Sequence, residues 1–162
     1  MYIFSRREPL RKGIHYAKIK KKGGEYLQDW KKAKALLPGN SCVFCREDRV
    51  YTCQKSGIAP LLGMLETDLR GFCVADKVVG KAAAMLYCLM EVRAVYAPVM
   101  SKAAVQMLQS HGILTQWEVS PDAIQNRQGN GICPMEQAVA ALCDPGEAPA
   151  VLRRTLERLT KA

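Results

Sequence analysis

The sequence has no uncharged apolar run approaching 18 residues, so it encodes no membrane-spanning helix. Its start, Met1 to Arg7, brings arginines with no apolar run behind them, which argues against a secretory signal and predicts a cytoplasmic protein. Histidine is scarce. Of the two present, His15 lies in a basic stretch and His111 precedes Gly112 at an expected helix end, where a cation complements the dipole, so neither is a candidate base. Also missing are the nucleotide-binding glycine fingerprint, the phosphate-binding loop, the zinc-protease motif and the hydrolase elbow, which leaves ATP, NAD and triad chemistry without support. No repeat or low-complexity segment is present. With 162 residues, 49% apolar and 24% charged, the chain is one globular domain, neither disordered nor collagen-like.

Acidic residues are in deficit, 15 against 24 lysines and arginines, and the imbalance is local. Residues 1–40 hold eleven basic and three acidic residues, or +8, which leaves +1 for the other 122. A near-neutral domain therefore sits behind a basic arm, residues 1–24, ending in Gly23-Gly24. Tyr2, Phe4, Tyr16, Tyr26 and Trp30, interleaved with these cations, open an alternative function, weak binding of nucleic-acid phosphates with base stacking; the bland alternative is a solvated tail. Seven cysteines, an odd number without an export signal, indicate reduced thiols. Cys42-Val43-Phe44-Cys45 lies in a strand-like run with no second such pair, which disfavours a metal role.

From Glu25 the chain becomes periodic. Leu27, Trp30, Ala33, Leu36 and Leu37 recur at helical spacing before Pro38-Gly39-Asn40. Cys42 to Cys45 and Val50 to Cys53, around Arg46-Glu47-Asp48-Arg49, predict a hairpin. A helix is expected at about Pro60 to Glu66, a strand at Gly71 to Ala75, a helix from Lys77 to Met90 and a strand at Val92 to Val99. Ser101 caps a helix to His111, Ile113 to Val119 is strand-like, and Pro134 opens another helix. Glu147 to Lys161 forms an amphipathic terminal helix with Val151, Leu152, Leu156 and Leu159 on one side. This alternation gives a mixed, mostly parallel sheet covered by helices. The division is an arm at 1–24, a domain at 25–143 and the terminal helix at 144–162.

Two segments break local rules. In Val74 to Lys81, Asp76 suits a helix N-cap, yet Lys77 and Lys81 set two cations at the positive end of the helix dipole and Gly80 weakens the first turn. Backbone amides, two ammonium groups and a glycine make an anion pocket, unless the lysines are solvated and Gly80 merely packs on a strand. In Asn126 to Glu136, Pro134 at the first helical position makes Cys133 the N-cap, where a thiol is unusual and its pKa can fall. Gly129 and Gly131 let the loop fold tightly, and Arg127 offers a planar donor. The alternative is a buried thiol, with Glu136 completing a capping box.

The segments Gly57-Ile58-Ala59-Pro60-Leu61-Leu62, Val74-Ala75-Asp76-Lys77-Val78-Val79-Gly80-Lys81-Ala82-Ala83-Ala84, Asn126-Arg127 and Gly131-Ile132-Cys133-Pro134-Met135-Glu136 resemble a small bacterial family, a domain of unknown function with a fold similar to cytidine deaminases. The resemblance covers about residues 28–143, leaving the terminal helix outside, and implies a three-layer α/β/α domain with a five-stranded mixed sheet. A zinc deaminase needs H-x-E at one helix start and P-C-x-x-C at another. Here the positions read Ala75-Asp76-Lys77 and Cys133-Pro134-Met135-Glu136, so no metal or other cofactor is expected. The expected function is binding of a small anionic or nucleotide-like molecule where the two helix starts converge. Lys77, Gly80, Lys81, Asn126, Arg127 and Gly131 are the binding candidates. If catalysis occurs, Cys133 is the nucleophile and Asp76 or Glu136 the acid or base.

Overall fold

A computed structural model of the chain describes residues 13–15 and 24–162. The basic arm and its nucleic-acid reading therefore fall mostly outside the described residues. Helix α1 (Gly24–Leu36) buries Tyr26, Trp30 and Ala33, with Leu37 just beyond, along one stripe, while Leu27 and Leu36 stay partly exposed, so the buried face is rotated from the expected one. Gly39 at φ 84° and the Asn40 side chain, which donates to the Leu36 carbonyl, end it.

The hairpin forms as predicted. β2 (Cys42–Arg46) pairs antiparallel with β3 (Arg49–Cys53), and of the four charged residues Glu47 and Asp48 make the turn while Arg46 and Arg49 face each other as the last strand pair. Helix α2 (Ala59–Gly63) runs into a short 3₁₀ turn at Met64–Glu66. β4 (Cys73–Asp76), β5 (Val78–Val79), α3 (Lys81–Leu89), β6 (Ala94–Met100), α4 (Lys102–Ser110) and β7 (Leu114–Val119) follow. The chain ends with α5 (Pro134–Val139) and α6 (Ala148–Lys161), separated by a 3₁₀ turn.

Within one sheet, the strands β7, β6, β4, β2 and β3 lie side by side in that order, parallel across β7, β6 and β4 and antiparallel beyond. These are the five expected. Two more join them: β1 (Gly13–His15) pairs antiparallel with β7 inside the segment read as an arm, and β5 pairs with β6 past the end of β4.

Alternation along the strands divides the interior into two clusters. Cys42 and Phe44, Val74, and Val95 and Ala97 point into a large cluster with α2 to α6, while Val43 and Cys45, Cys73 and Ala75, and Ala94 and Tyr96 meet α1. Helix α6, the expected amphipathic terminal helix, packs on the large cluster through fully buried Ala148 and Leu152. Among the described residues, no helix is long and apolar enough to cross a membrane.

One expectation fails where it matters for the site. Asp76 is not the N-cap of α3 and Lys77 is not in its first turn. Asp76 instead pairs with Cys42 as the last residue of β4, and its Oδ1 accepts from the Val78 N–H, 3.2 Å away. That bond to a residue two positions on is the habit that suits aspartate to turns, and here it bends the chain into β5 rather than a helix. The helix begins at Lys81 with Gly80 as its N-cap.

Candidate functional site

A cavity of about 830 Å³ opens past the C-terminal ends of β4 and β5, where α/β sheets commonly place ligands. Its wall includes Asp76, Lys77 and Gly80 from one turn, and Asn126, Arg127, Cys133 and Glu136 from the other. The two segments that break sequence rules therefore converge. Lys81 and Gly131 do not line the cavity. The Lys81 ammonium donates to the Ala140 carbonyl at 2.7 Å, tying α3 to the end of α5, and Gly131 accepts the Asn126 N–H at 2.8 Å through its backbone carbonyl.

Glu136 joins the two turns. Helix α3 has no side-chain cap of its own at Gly80. Glu136, reaching over from α5, accepts from the Lys81 N–H at 2.8 Å and the Ala82 N–H at 2.9 Å, one to each carboxylate oxygen. It thus caps α3 across space, not its own helix as a capping box would require. Burial pushes its carboxyl up, against the pull of those two N–H groups and the Lys81 charge. Gly80 is what admits it: a Cβ there would lie 2.3 Å from Glu136 Oε1. Gly80 at φ −95° is otherwise ordinary extended backbone, so space rather than dihedral freedom explains the glycine.

Asp76 is 9% exposed on the cavity floor, where its Oδ2 accepts the Tyr87 hydroxyl from α3. Burial pushes its carboxyl up to about 6, although bonds from Tyr87 and the Val78 and Lys77 backbones favour the ion. Burial, then the Asp76 charge, push the Tyr87 hydroxyl up as well, so it stays a donor.

The second turn is self-supporting. The Asn126 side chain accepts the Asn130 N–H and donates to the Asn130 side chain, closing the loop through Gly129 at φ 70°. Its amide is thus occupied by the loop itself. Arg127 reaches across the mouth toward Ser56 Oγ, 3.4 Å away, and over Gly57. Cys133 is the N-cap of α5 as expected, half-buried on the cavity wall, with no side-chain capping bond.

Sequence reasoning missed the third wall. Ser41, just before β2, and Lys55, Ser56 and Gly57, after β3, come together at the open end of the hairpin, and the Ser41 hydroxyl holds that end closed on the Cys53 and Lys55 carbonyls. Gly57, at φ 98°, was noticed only as part of a motif. Nothing local marks the others; the fold supplies them.

A zinc ion of the kind that the sequence resemblance to cytidine deaminases would imply does not fit these residues. Both Glu136 oxygens face the start of α3, Asp76 is engaged by Tyr87 and Val78, and Cys133 alone cannot hold a metal. Among the described residues, no group of three or more His, Cys, Asp or Glu is arranged to do so.

These features define a class: an α/β domain with a mixed sheet, whose polar-mouthed cavity lies between the starts of two helices. Residues 33–156 match the family described as a domain of unknown function (DUF1893), and the chain belongs to that family. The match runs into α6, which corrects the expectation that the terminal helix lies outside the family region. A solved DUF1893 family protein (TM1506) from Thermotoga maritima is similar, with 23% identity, a TM-score of 0.72, and coverage of 87% of this chain and 96% of that one. At that identity the likeness speaks to fold. No curated protein matches the chain.

Proposed function

We propose that this chain is a zinc-free domain of three-layer α/β/α, cytidine deaminase-like architecture that binds a small anionic or nucleotide-like ligand in the 830 Å³ cavity. The two clusters on opposite sides of the sheet support the architecture. Seven free thiols support a reducing, cytoplasmic setting. The observation that carries the ligand reading is a charge imbalance on the wall. Lys55, Lys77 and Arg127 are exposed at the mouth, and among the described residues none has a carboxylate at ion-pair distance. The two wall carboxylates already accept hydrogen bonds from Tyr87, Val78 and the start of α3. Deeper in, Ile58, Leu61, Ala82, Ala83 and Met135 are apolar. A polar mouth over an apolar interior suits an anion carrying a flat or aliphatic body.

Thermal unfolding with nucleoside 5′-monophosphates and with inorganic phosphate tests this reading. A ligand at about 100 times its Kd adds about 2.7 kcal/mol, or roughly 5–10 °C in Tm for a domain of this size. The variant K77A/R127A should lose that rise while keeping its unliganded Tm. No rise with any probe, together with no bound small molecule in native mass spectra of freshly purified protein, would end the proposal.

Cysteine chemistry at this wall has its own test. Cys133 as a nucleophile, with Asp76 as proton carrier, requires that iodoacetamide alkylate Cys133 ahead of the other six cysteines across pH. Equal rates would remove the role. Glu136, with both oxygens capping α3, is the weaker acid–base candidate.

A further inference from the structure

The two cysteines that stand closest in sequence cannot work together. Cys42 and Cys45 alternate across β2, so Cys42 joins the large cluster with Phe44 while Cys45 joins the α1 cluster with Val43. Each faces a different cysteine across the sheet. Cys42 lies directly opposite Cys53 of β3, and Cys45 directly opposite Cys73 of β4.

Directly opposed residues of antiparallel strands have Cα atoms roughly 4.5 or 5.5 Å apart, inside the window of about 4.4–6.8 Å that a disulfide spans. Geometry therefore permits both pairs, and access separates them. Cys45 and Cys73 are wholly buried. Cys53 is only partly buried and packs on the same cluster as Cys42, which itself lines the open cavity. We propose that Cys42 and Cys53 form an oxidisable dithiol site that closes to a disulfide with hydrogen peroxide as the two-electron acceptor.

The chemistry divides between the two sulfurs. Burial, then the nearby Asp76 charge and Cys53, push the Cys42 thiol up, so Cys42 resists ionisation. Cys53, the more accessible, attacks the peroxide: its sulfur takes one oxygen, the O–O bond breaks, and the thiol proton leaves with the other oxygen as water, giving a sulfenic acid. Cys42, whose raised thiol pKa makes this the slow step, gives up its proton to the departing hydroxide as its sulfur attacks the Cys53 sulfur; the S–O bond breaks and a second water forms. Two thiols lose one electron pair to one peroxide. A dithiol reductant reverses the closure.

The test is mapping of the full chain after limited peroxide, alkylation and non-reducing digestion. Trypsin places Cys42 and Cys45 in peptide 35–46, Cys53 in 50–55 and Cys73 in 71–77, so the two pairs give different conjugates, and fragmentation separates Cys42 from Cys45. The expected result is a 35–46/50–55 conjugate through Cys42, short of two hydrogens, absent in C53S and lost on adding dithiothreitol. Because Cys53 is not fully buried, C53S should keep the wild-type Tm. A 35–46/71–77 conjugate formed first would overturn the proposal, as would sulfinic acid at Cys53 with Cys42 still alkylatable.

Discussion

Gly80 and Glu136 are best understood as one unit. Placing a methyl group at Gly80 puts it 2.3 Å from a Glu136 oxygen whose own position is fixed by two N–H donors, so the carboxylate must leave the start of α3. Gly80→Ala should therefore destabilise the protein by about 1–3 kcal/mol, the cost of stranding a buried carboxylate and uncapping the helix. In an E136A background the same substitution has nothing to displace and should cost far less. A double-mutant cycle by urea unfolding checks this; equal effects in both backgrounds would refute the coupling.

Asp76 gives a prediction with a definite sign. Its folded pKa is raised from 3.8 to about 6, so its share of stability is complete below the lower value and is lost as pH rises through the higher one. The loss is about 3 kcal/mol between roughly pH 4 and pH 7. D76N cannot titrate, so urea unfolding should show it gaining on wild type by that order across the interval; parallel pH profiles would exclude the shift. Glu136 moves in the same direction, and comparison with D76N isolates the aspartate. Sequence read Asp76 as an ordinary helix cap and Gly80 as a weak point of the first turn; their actual roles escaped it, because neither the Tyr87 hydroxyl nor the Glu136 carboxylate is near them along the chain.

At the level of elements, what is encoded locally was legible. The Ser101 side chain accepts the Ala104 N–H as a helix cap should, and Pro134 starts α5. Ser101→Ala should cost about 1 kcal/mol and lower Tm by roughly 2–4 °C without altering any ligand response, as calorimetry can verify. The hairpin, the crossover helices and the terminal helix follow from periodicity and turn residues. What escaped were features fixed by pairing. A two-residue strand such as β5 exists because Val99 and Met100 of β6 lie beside it, and β1 because β7 offers an open edge. Half the wall was legible for the same reason: the turns of Asp76 and Cys133 advertise themselves by breaking rules, whereas Ser41, Lys55 and Ser56 become neighbours of the cavity only when β2 and β3 close.

For the molecule as a whole, β2 occupies the position that both interiors depend on. It runs between β3 and β4, and its successive residues Cys42, Val43, Phe44 and Cys45 belong in turn to one cluster and the other. No local opening can release this strand without exposing apolar surface on both sides of the sheet. Its amides should therefore exchange with deuterium only through global unfolding, together with those of β4, while the outer amides of β3, which border no further strand among the described residues, exchange by local fraying. Protection in β2 no greater than in β3 would show that the two interiors melt separately. With β2 the better protected strand, as expected, the Cys42–Cys53 cross-link has a mechanical meaning: it would rivet the strand that frays to the strand that cannot.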